Sequence, residues 1–275
     1  MNFKKLSDSH MHSNRSFDAV DTVDAMCQRA IEKKMYSITI TDHFESYLYF
    51  TNPDKFGDAK TLIPISIKEI REAQEKYKDK IQIFCGLEVG EPLQDVKATE
   101  HVTALTNYDF LLGSLHNITA VEDFYFLEYT LESAREIITA YFKEMLEMVK
   151  VADIDSLAHI TYPFRYIVGR AKLDVKVSEY KEEIDKILKV LVERGIALEI
   201  NTSGLRQNLG TCMPDIDVLQ SYKDLGGMYV TVGSDAHNTG DLGKNIEDGY
   251  QMMLDCGFKS YTIFKQRKPI LIDIE

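Results

Sequence analysis

Strand-like runs alternate with longer helical patterns along this chain, which predicts an α/β protein of parallel strands joined by crossover helices, either a barrel or an open doubly wound sheet. Size and composition agree: 275 residues, 44% hydrophobic and 28% charged with 6 prolines, describe an ordinary globular chain with enough apolar material for a substantial core. Position supplies the third observation. Of the 7 histidines, all but His101 fall where predicted strands end, the rim on which barrel enzymes build their sites.

Strands are expected at 5–9, 36–41, 81–87, 110–114, 156–158, 197–200 and 229–233, mostly apolar or β-branched runs closed by polar residues. A helix over 20–33 follows Asp18 and places Val20, Val23, Ala30 and Ile31 on one side. The next, 67–77, is charged and amphipathic. Longer helices are expected at 132–150 and 177–194, where Ile184, Ile187, Leu188 and Leu191 form an apolar stripe. Helices at 215–225, after Pro214, and at 245–256 complete the set of about seven strand-helix units. Two further β-like runs, 261–264 and 270–274, flank Lys265-Gln266-Arg267-Lys268 and Pro269 and read as an appended terminal element. No repeat, low-complexity tract or linker divides 1–275, so one domain is expected.

The formal net charge of −12 excludes a sequence-independent nucleic-acid surface, which needs concentrated Lys and Arg. Part of that acidity fits metal-binding carboxylates, which count as unpaired until cations bind. Cys27, Cys85, Cys212 and Cys256 are scattered, without a C-x-x-C pair, and read as reduced core thiols. The start, Met1-Asn2-Phe3-Lys4-Lys5, lacks the apolar core of a signal peptide, and no run reaches membrane-spanning length. A cytoplasmic location is the expectation, with no membrane partner.

Asp8-Ser9-His10-Met11-His12 opens the chemistry. Two histidines at i and i+2 of an extended strand share a face, so both imidazoles can reach one metal ion. Later strand ends add Thr41-Asp42-His43, Gly86-Leu87-Glu88, Ser114-Leu115-His116-Asn117, His159 and Gly233-Ser234-Asp235-Ala236-His237. Singly, each has an ordinary structural reading, as a loop histidine or a helix cap. Jointly they do not, because scattered surface histidines would fall as often within helices and on the opposite rim.

These ordered motifs, D-x-H-x-H, T-D-H, G-x-E, S-x-H-N, a later isolated His and G-S-D-A-H, resemble the PHP (polymerase and histidinol phosphatase) superfamily over nearly the whole chain. Tyr162-Pro163-Phe164-Arg165 and Asn201-Thr202-Ser203-Gly204-Leu205-Arg206, with no polymerase modules, are most similar to its histidinol-phosphatase branch. The resemblance implies a distorted (β/α)7 TIM-like barrel with a trinuclear metal centre at the carboxyl ends of its strands. It implies one ion held by His10, His12, Glu88 and Asp235, and a second by His116 and His159 with Glu88 as a bridge. The third would take Asp18, His43 and His237, with Asp18 standing where some members have His. Asp8 is expected to support these ligands rather than to bind metal.

Imidazoles and carboxylates without thiolates suit Zn, Mn or Fe in an open site. The expected reaction is hydrolysis of L-histidinol phosphate in histidine biosynthesis by attack of a metal-bridging hydroxide. Asp42, Asp235 and His237 are the candidate catalytic groups. Arg165 and Arg206, with Arg15 in reserve, are the candidate phosphate forks. Glu122, in Glu122-Asp123-Phe124-Tyr125-Phe126, is the candidate for the substrate amine beside aromatic surface, and the aromatic-rich stretch 44–56 is a candidate wall or lid. Two other readings carry the same metal motifs: a phosphoesterase or exonuclease acting on nucleotides or nucleic-acid ends, and a non-catalytic metal-binding module.

Overall fold

In the computed structural model, residues 3–49 and 59–274 are described. The chain begins with β1 (Ser7–Asp8), α1 (Val23–Glu32), β2 (Ser37–Ile40), β3 (His43–Glu45) and α2 (Ala59–Tyr77). It continues with β4 (Gln82–Gly90), α3 (Val96–Thr103), β5 (Phe110–Ser114), α4 (Leu131–Val151), β6 (Ser156–Leu157) and α5 (Lys181–Arg194). After β7 (Ala197–Asn201), α6 (Ser203–Arg206), α7 (Ile216–Asp224), β8 (Val230–Gly233) and α8 (Ile246–Asp255), a hairpin of β9 (Ser260–Lys265) and β10 (Lys268–Asp273) ends the fold. None of the described helices is long and apolar enough to cross a membrane.

The strands pair in parallel in the order β1-β2-β4-β5-β6-β7-β8. The ring then closes on itself. Ser9 N donates to the Val232 carbonyl at 2.9 Å, Asp235 N to the His10 carbonyl at 2.8 Å and His12 N to the Ala236 carbonyl at 2.8 Å. The expected alternative of an open sheet is thereby resolved in favour of a nearly closed barrel of parallel strands with helices outside.

Local sequence explains most element boundaries and three departures from expectation. Thr22 caps α1, its hydroxyl accepting from Ala25 N at 3.2 Å, so the helix starts after Val20, which is 72% exposed. Its buried face is Val23, Met26, Cys27 and Ala30 instead. α2 is longer than the charged segment suggested and carries Pro64 within it; burial of Ile63 and Ser66 extends the packed face upstream. The 177–194 helix begins as a tight 3-10 turn, Val177–Tyr180, and becomes α-helical at Lys181, with Ile184, Ile187, Leu188 and Leu191 buried as the stripe required. Gly195, at φ 67°, ends it in the left-handed conformation that glycine adopts without a Cβ clash.

β3 was not foreseen as a separate strand. It continues the line of β2 after Thr41 and Asp42, and its parallel register on β4 sets His43 beside Glu88. The terminal element is confirmed as an antiparallel hairpin turning at Gln266 and Arg267, both at positive φ. It plugs the end of the barrel away from the histidines: Phe264 stacks on Phe110 with ring centroids 5.2 Å apart, and Arg267 grips Asp155 and Asp153. All four cysteines are buried and unbridged.

Because Phe264 is 4% exposed and packs on Phe110, Leu112 and Ala197 at the barrel floor, Phe264→Ala should cost about 3–5 kcal/mol of stability. Urea unfolding of the variant beside wild type measures this, and an unchanged midpoint would show that the hairpin is not part of the cooperative core.

Candidate metal centre

The open end of the barrel gathers nine of the expected residues. Glu88, 1% exposed on β4, lies at the middle. Its Oε2 is 3.1 Å from His10 Nε2, 3.4 Å from His12 Nε2 and 3.1 Å from His43 Nδ1, and its Oε1 is 3.1 Å from His116 Nε2 and 3.2 Å from His159 Nε2. Asp235 faces the same space, with Oδ1 3.7 Å from His10 Nε2 and 3.5 Å from His12 Nε2. Towards solvent, Asp18 lies 3.0 Å from His237 Nε2 and 3.7 Å from His43 Nε2.

Hydrogen bonds behind the imidazoles fix which nitrogen points inward. His10 Nδ1 meets Glu199 Oε1 at 2.7 Å, leaving Nε2 for the centre. His12 Nδ1 meets Ser16 Oγ at 3.2 Å, and that hydroxyl donates to Asp42 at 2.9 Å. His116 Nδ1 lies 3.1 Å from Glu45 Oε1, while its backbone N donates to Glu91 at 2.6 Å. Such outer carboxylates hold ring orientation and raise ligand basicity at metal sites. Two residues adopt backbone angles uncommon for side chains other than glycine, His159 at φ 23° and Asp235 at φ 54°. His159 is held there by its N–H donating to Glu199 Oε2 at 2.9 Å. Gly233 is required by close approach, since a Cβ would lie 2.3 Å from His10 Cβ.

Charges in this space perturb one another strongly. Burial and the neighbouring His43 and His237 push His12 down to about 3. Burial also disfavours the charged form of His43, but Glu88 and Asp18 outweigh it and raise that group to about 9. His10 and His116 are likewise raised against the cost of burial by Glu199 and Glu45 respectively, together with Glu88. Burial would raise Glu88, yet His10, His43 and His116 hold it well below the usual carboxylate range.

The donor set fits divalent cations. His10 Nε2 and His12 Nε2 approach to 3.1 Å while both face one oxygen of Glu88, a crowding of nitrogens that hydrogen bonds alone leave poorly satisfied. His43 Nδ1 is buried, 3.1 Å from Glu88 and 3.4 Å from Glu45, without an aligned hydrogen bond to either. Donor atoms fall into groups that could each hold an ion, among them His10, His12 and Glu88; His43, Glu88 and His116; and His12, His43 and His237. Sulfur is absent from these groups, which sets them apart from the closed thiolate sites of structural zinc.

Above the centre lies a cavity of about 400 Å³. Arg165 forms part of its wall, with Nη1 3.7 Å from Asp235 and its guanidinium 4.7 Å from the ring centre of Tyr162 and 4.9 Å from that of Tyr166. The other predicted substrate groups lie elsewhere. Arg206 sits behind Asp235, donating from Nη2 to its carbonyl at 2.8 Å, outside the cavity wall. Arg15 is captured by Glu69 of α2 in a two-pronged pair at 2.6 and 3.0 Å. Glu122 points outward and its neighbour Asp123 lines the cavity instead. Asp42 lies beneath the site, its oxygens occupied by Ser13, Ser16 and Ser66. Asp8 has the expected supporting role, accepting from Ser234 N and Gly243 N at 2.8 and 2.9 Å. His101 lies exposed on α3. Of the aromatic stretch 44–56, Phe44, Leu48 and Tyr49 are buried, and 50–56 lies outside the described residues.

Residues 8–203 match the family model for the PHP domain. A histidinol-phosphatase of Lactococcus lactis subsp. lactis is 30% identical over 271 residues, covering 96% of each chain. A probable histidinol-phosphatase of Clostridium acetobutylicum is 29% identical over 261 residues, covering 94% of this chain and 97% of the relative. Among solved structures, the histidinol phosphate phosphatase of Lactococcus lactis complexed with Zn, L-histidinol and phosphate superposes with a TM-score of 0.77 at 26% identity, covering 97% of this chain and 99% of that one.

Raised imidazole pKa values set the pH dependence of loading. Without a cation His43 keeps its proton up to about pH 9, so an entering ion must displace it, and affinity should fall as pH drops below that value. Calorimetric titration of metal-free protein with Zn near neutral pH, in buffers of different ionisation enthalpy, should show net proton release; buffer-independent heats would contradict this assignment of the charges.

Proposed function

The chain belongs to the PHP domain family, and from that premise we propose that it is a metal-dependent phosphatase hydrolysing L-histidinol phosphate to L-histidinol and inorganic phosphate. The observation that carries this reading is the convergence of His10, His12, His116 and His159 on Glu88 at the foot of a cavity walled by Arg165, Asp123 and aromatic rings. The whole of 1–275 acts as one domain in this reading.

We assign three divalent ions, Zn, Mn or Fe: one with His10, His12, Glu88 and Asp235, one with Glu88, His116 and His159, and one with Asp18, His43 and His237, an assignment supported by the convergence on Glu88 and by the Asp18–His237 contact. Bound there, such ions supply an activated water and neutralise charge on the phosphoryl group, which the slowness of uncatalysed monoester hydrolysis demands. The chain's own groups do the rest. Glu199 holds His10 with Nε2 inward, Ser16 and Asp42 do the same for His12, and Glu45 for His116. Arg165 presents its guanidinium to phosphoryl oxygens from a stacked position that limits its rotamers. Arg206 steadies Asp235 through its carbonyl rather than touching phosphate. Their position on the cavity wall supports Asp235 and His237 as proton carriers, while Asp42, beneath the site and bonded to three serines, is left the supporting role. Asp123 offers a carboxylate to the substrate ammonium, with Tyr125 and Phe126 as apolar surface for its ring.

Phosphate release from L-histidinol phosphate, beside nucleotides and single-stranded oligonucleotides with Zn or Mn added, tests the reaction. Preference for L-histidinol phosphate is expected, and exclusive cleavage of nucleotides or oligonucleotides would overturn it. Chelation to a demonstrated metal-free state should abolish turnover. Arg165→Ala should lower kcat/KM by roughly ten- to a hundredfold, the worth of a charge-assisted hydrogen bond, with metal content unchanged; wild-type kinetics would remove Arg165 from the site.

A further inference from the structure

After Pro163 the chain forms a π-helical turn, Arg165–Arg170, in which Ala171 N donates to the carbonyl of Tyr166 at 2.8 Å, five residues back. This wider winding brings residues five apart to one side, whereas an α-helix would splay them. Arg165 and Arg170 consequently lie against the same ring, their guanidinium carbons 4.9 and 5.0 Å from the centre of Tyr166. Arg165 turns into the cavity, and Arg170 turns out to the loop that carries Asp123.

Arg170 spans that loop. Nη1 donates to the Tyr125 carbonyl at 2.6 Å and Nη2 to the Leu127 carbonyl at 2.7 Å, while the guanidinium carbon lies 5.7 Å from the centre of the Tyr125 ring. The adjoining carbonyl of Phe124 accepts from Tyr129 Oη at 2.7 Å. Inside the loop, Asp123 accepts from Tyr125 N at 2.7 Å, so the backbone clamped by Arg170 is also the backbone that orients the Asp123 carboxylate. Tyr125 and Phe126 are 57% and 52% exposed at the cavity mouth, where their rings meet edge to face at 5.1 Å and Tyr125 meets Tyr166 of the π-turn at 6.0 Å. A planar fork is needed for this grip, because two parallel donors must meet two carbonyls two residues apart.

We propose that Arg170 is a positioning residue for substrate choice: by tying the Asp123–Leu127 loop to the π-turn that bears Arg165, it fixes the spacing between the phosphate fork and the carboxylate that receives a cationic amino-alcohol. This rests on the phosphatase reading above. Removing Arg170 leaves the metal donors and Arg165 in place but lets Asp123 and Tyr125 drift, and misplacement of about 1 Å is enough to cost up to a hundredfold.

The test has two arms. In the first, Arg170→Ala and Arg170→Lys are compared with wild type on L-histidinol phosphate and on p-nitrophenyl phosphate, which has no ammonium. The alanine variant should raise KM for L-histidinol phosphate about tenfold or more and leave kcat, and both constants for p-nitrophenyl phosphate, near wild type; lysine should restore only part of the loss. In the second arm, hydrogen exchange without substrate should quicken at the amides of 123–127 in Arg170→Ala and not at the amides of the metal-donor segments. Unchanged exchange, or equal losses on both substrates, would overturn the proposal. A wild-type enzyme inactive on L-histidinol phosphate would instead overturn the phosphatase reading, and the exchange arm would still decide whether Arg170 clamps the loop.

Discussion

Everything at the open end of this barrel answers to one buried carboxylate. Glu88 sits 1% exposed with five imidazole nitrogens within 3.4 Å, drawn from four separate segments of chain. Burying a carboxylate is costly unless opposite charge or hydrogen bonds compensate it. Here the compensation comes from groups that are themselves costly to bury, so none of them is stable in place without the others. That mutual dependence explains why the segments end where they do: β3 lines His43 up with Glu88, and the unusual backbone angles at His159 and Asp235 turn their side chains inward.

The outer hydrogen bonds divide labour with this hub. Asp42, Glu45 and Glu199 never line up as a site in sequence, yet each fixes one imidazole through a bond of 3.2 Å or less, directly or through Ser16. Arg206 acts similarly on Asp235. The cavity side is built differently, from stacked aromatic and guanidinium groups around Tyr162, Tyr166, Arg165 and Arg170, where planar faces rather than charge pairs limit movement.

Most of the barrel and the inner histidines were legible in the sequence because both obey short-range rules. Alternating strand and helix patterns report on local packing, and a His at a strand end points at one rim whatever surrounds it. Of the outer carboxylates, Asp42 stood out beside His43 but with another role, and Glu45 and Glu199 were not legible in that way. Glu199 interrupts the apolar run Ala197-Leu198-Glu199-Ile200, a charge inside a strand that could have been weighed, but its partner His10 lies 189 residues away. Arg15 and Arg206 look alike in sequence to Arg165, and only tertiary contacts with Glu69 and Asp235 take their guanidinium groups out of the cavity. Between Glu122 and Asp123 the deciding factor was the turn at 123–126, where the Asp123 side chain bonds its own loop and is carried inward.

Asp8 gives the closure of the ring a temporal meaning. Its carboxylate bonds Ser234, 226 residues further along, and His10 and His12 share their space with Asp235 and His237 from the same late segment. Contacts of such sequence separation carry a loop-closure entropy that must be met before they stabilise the fold. A chain whose last strand is undocked presents His10, His12, His43, Glu88 and His116 without Asp235 and His237. Assembly of the full donor set thus doubles as a record that the last strand has docked, because Asp235 and His237 join it only when the ring closes.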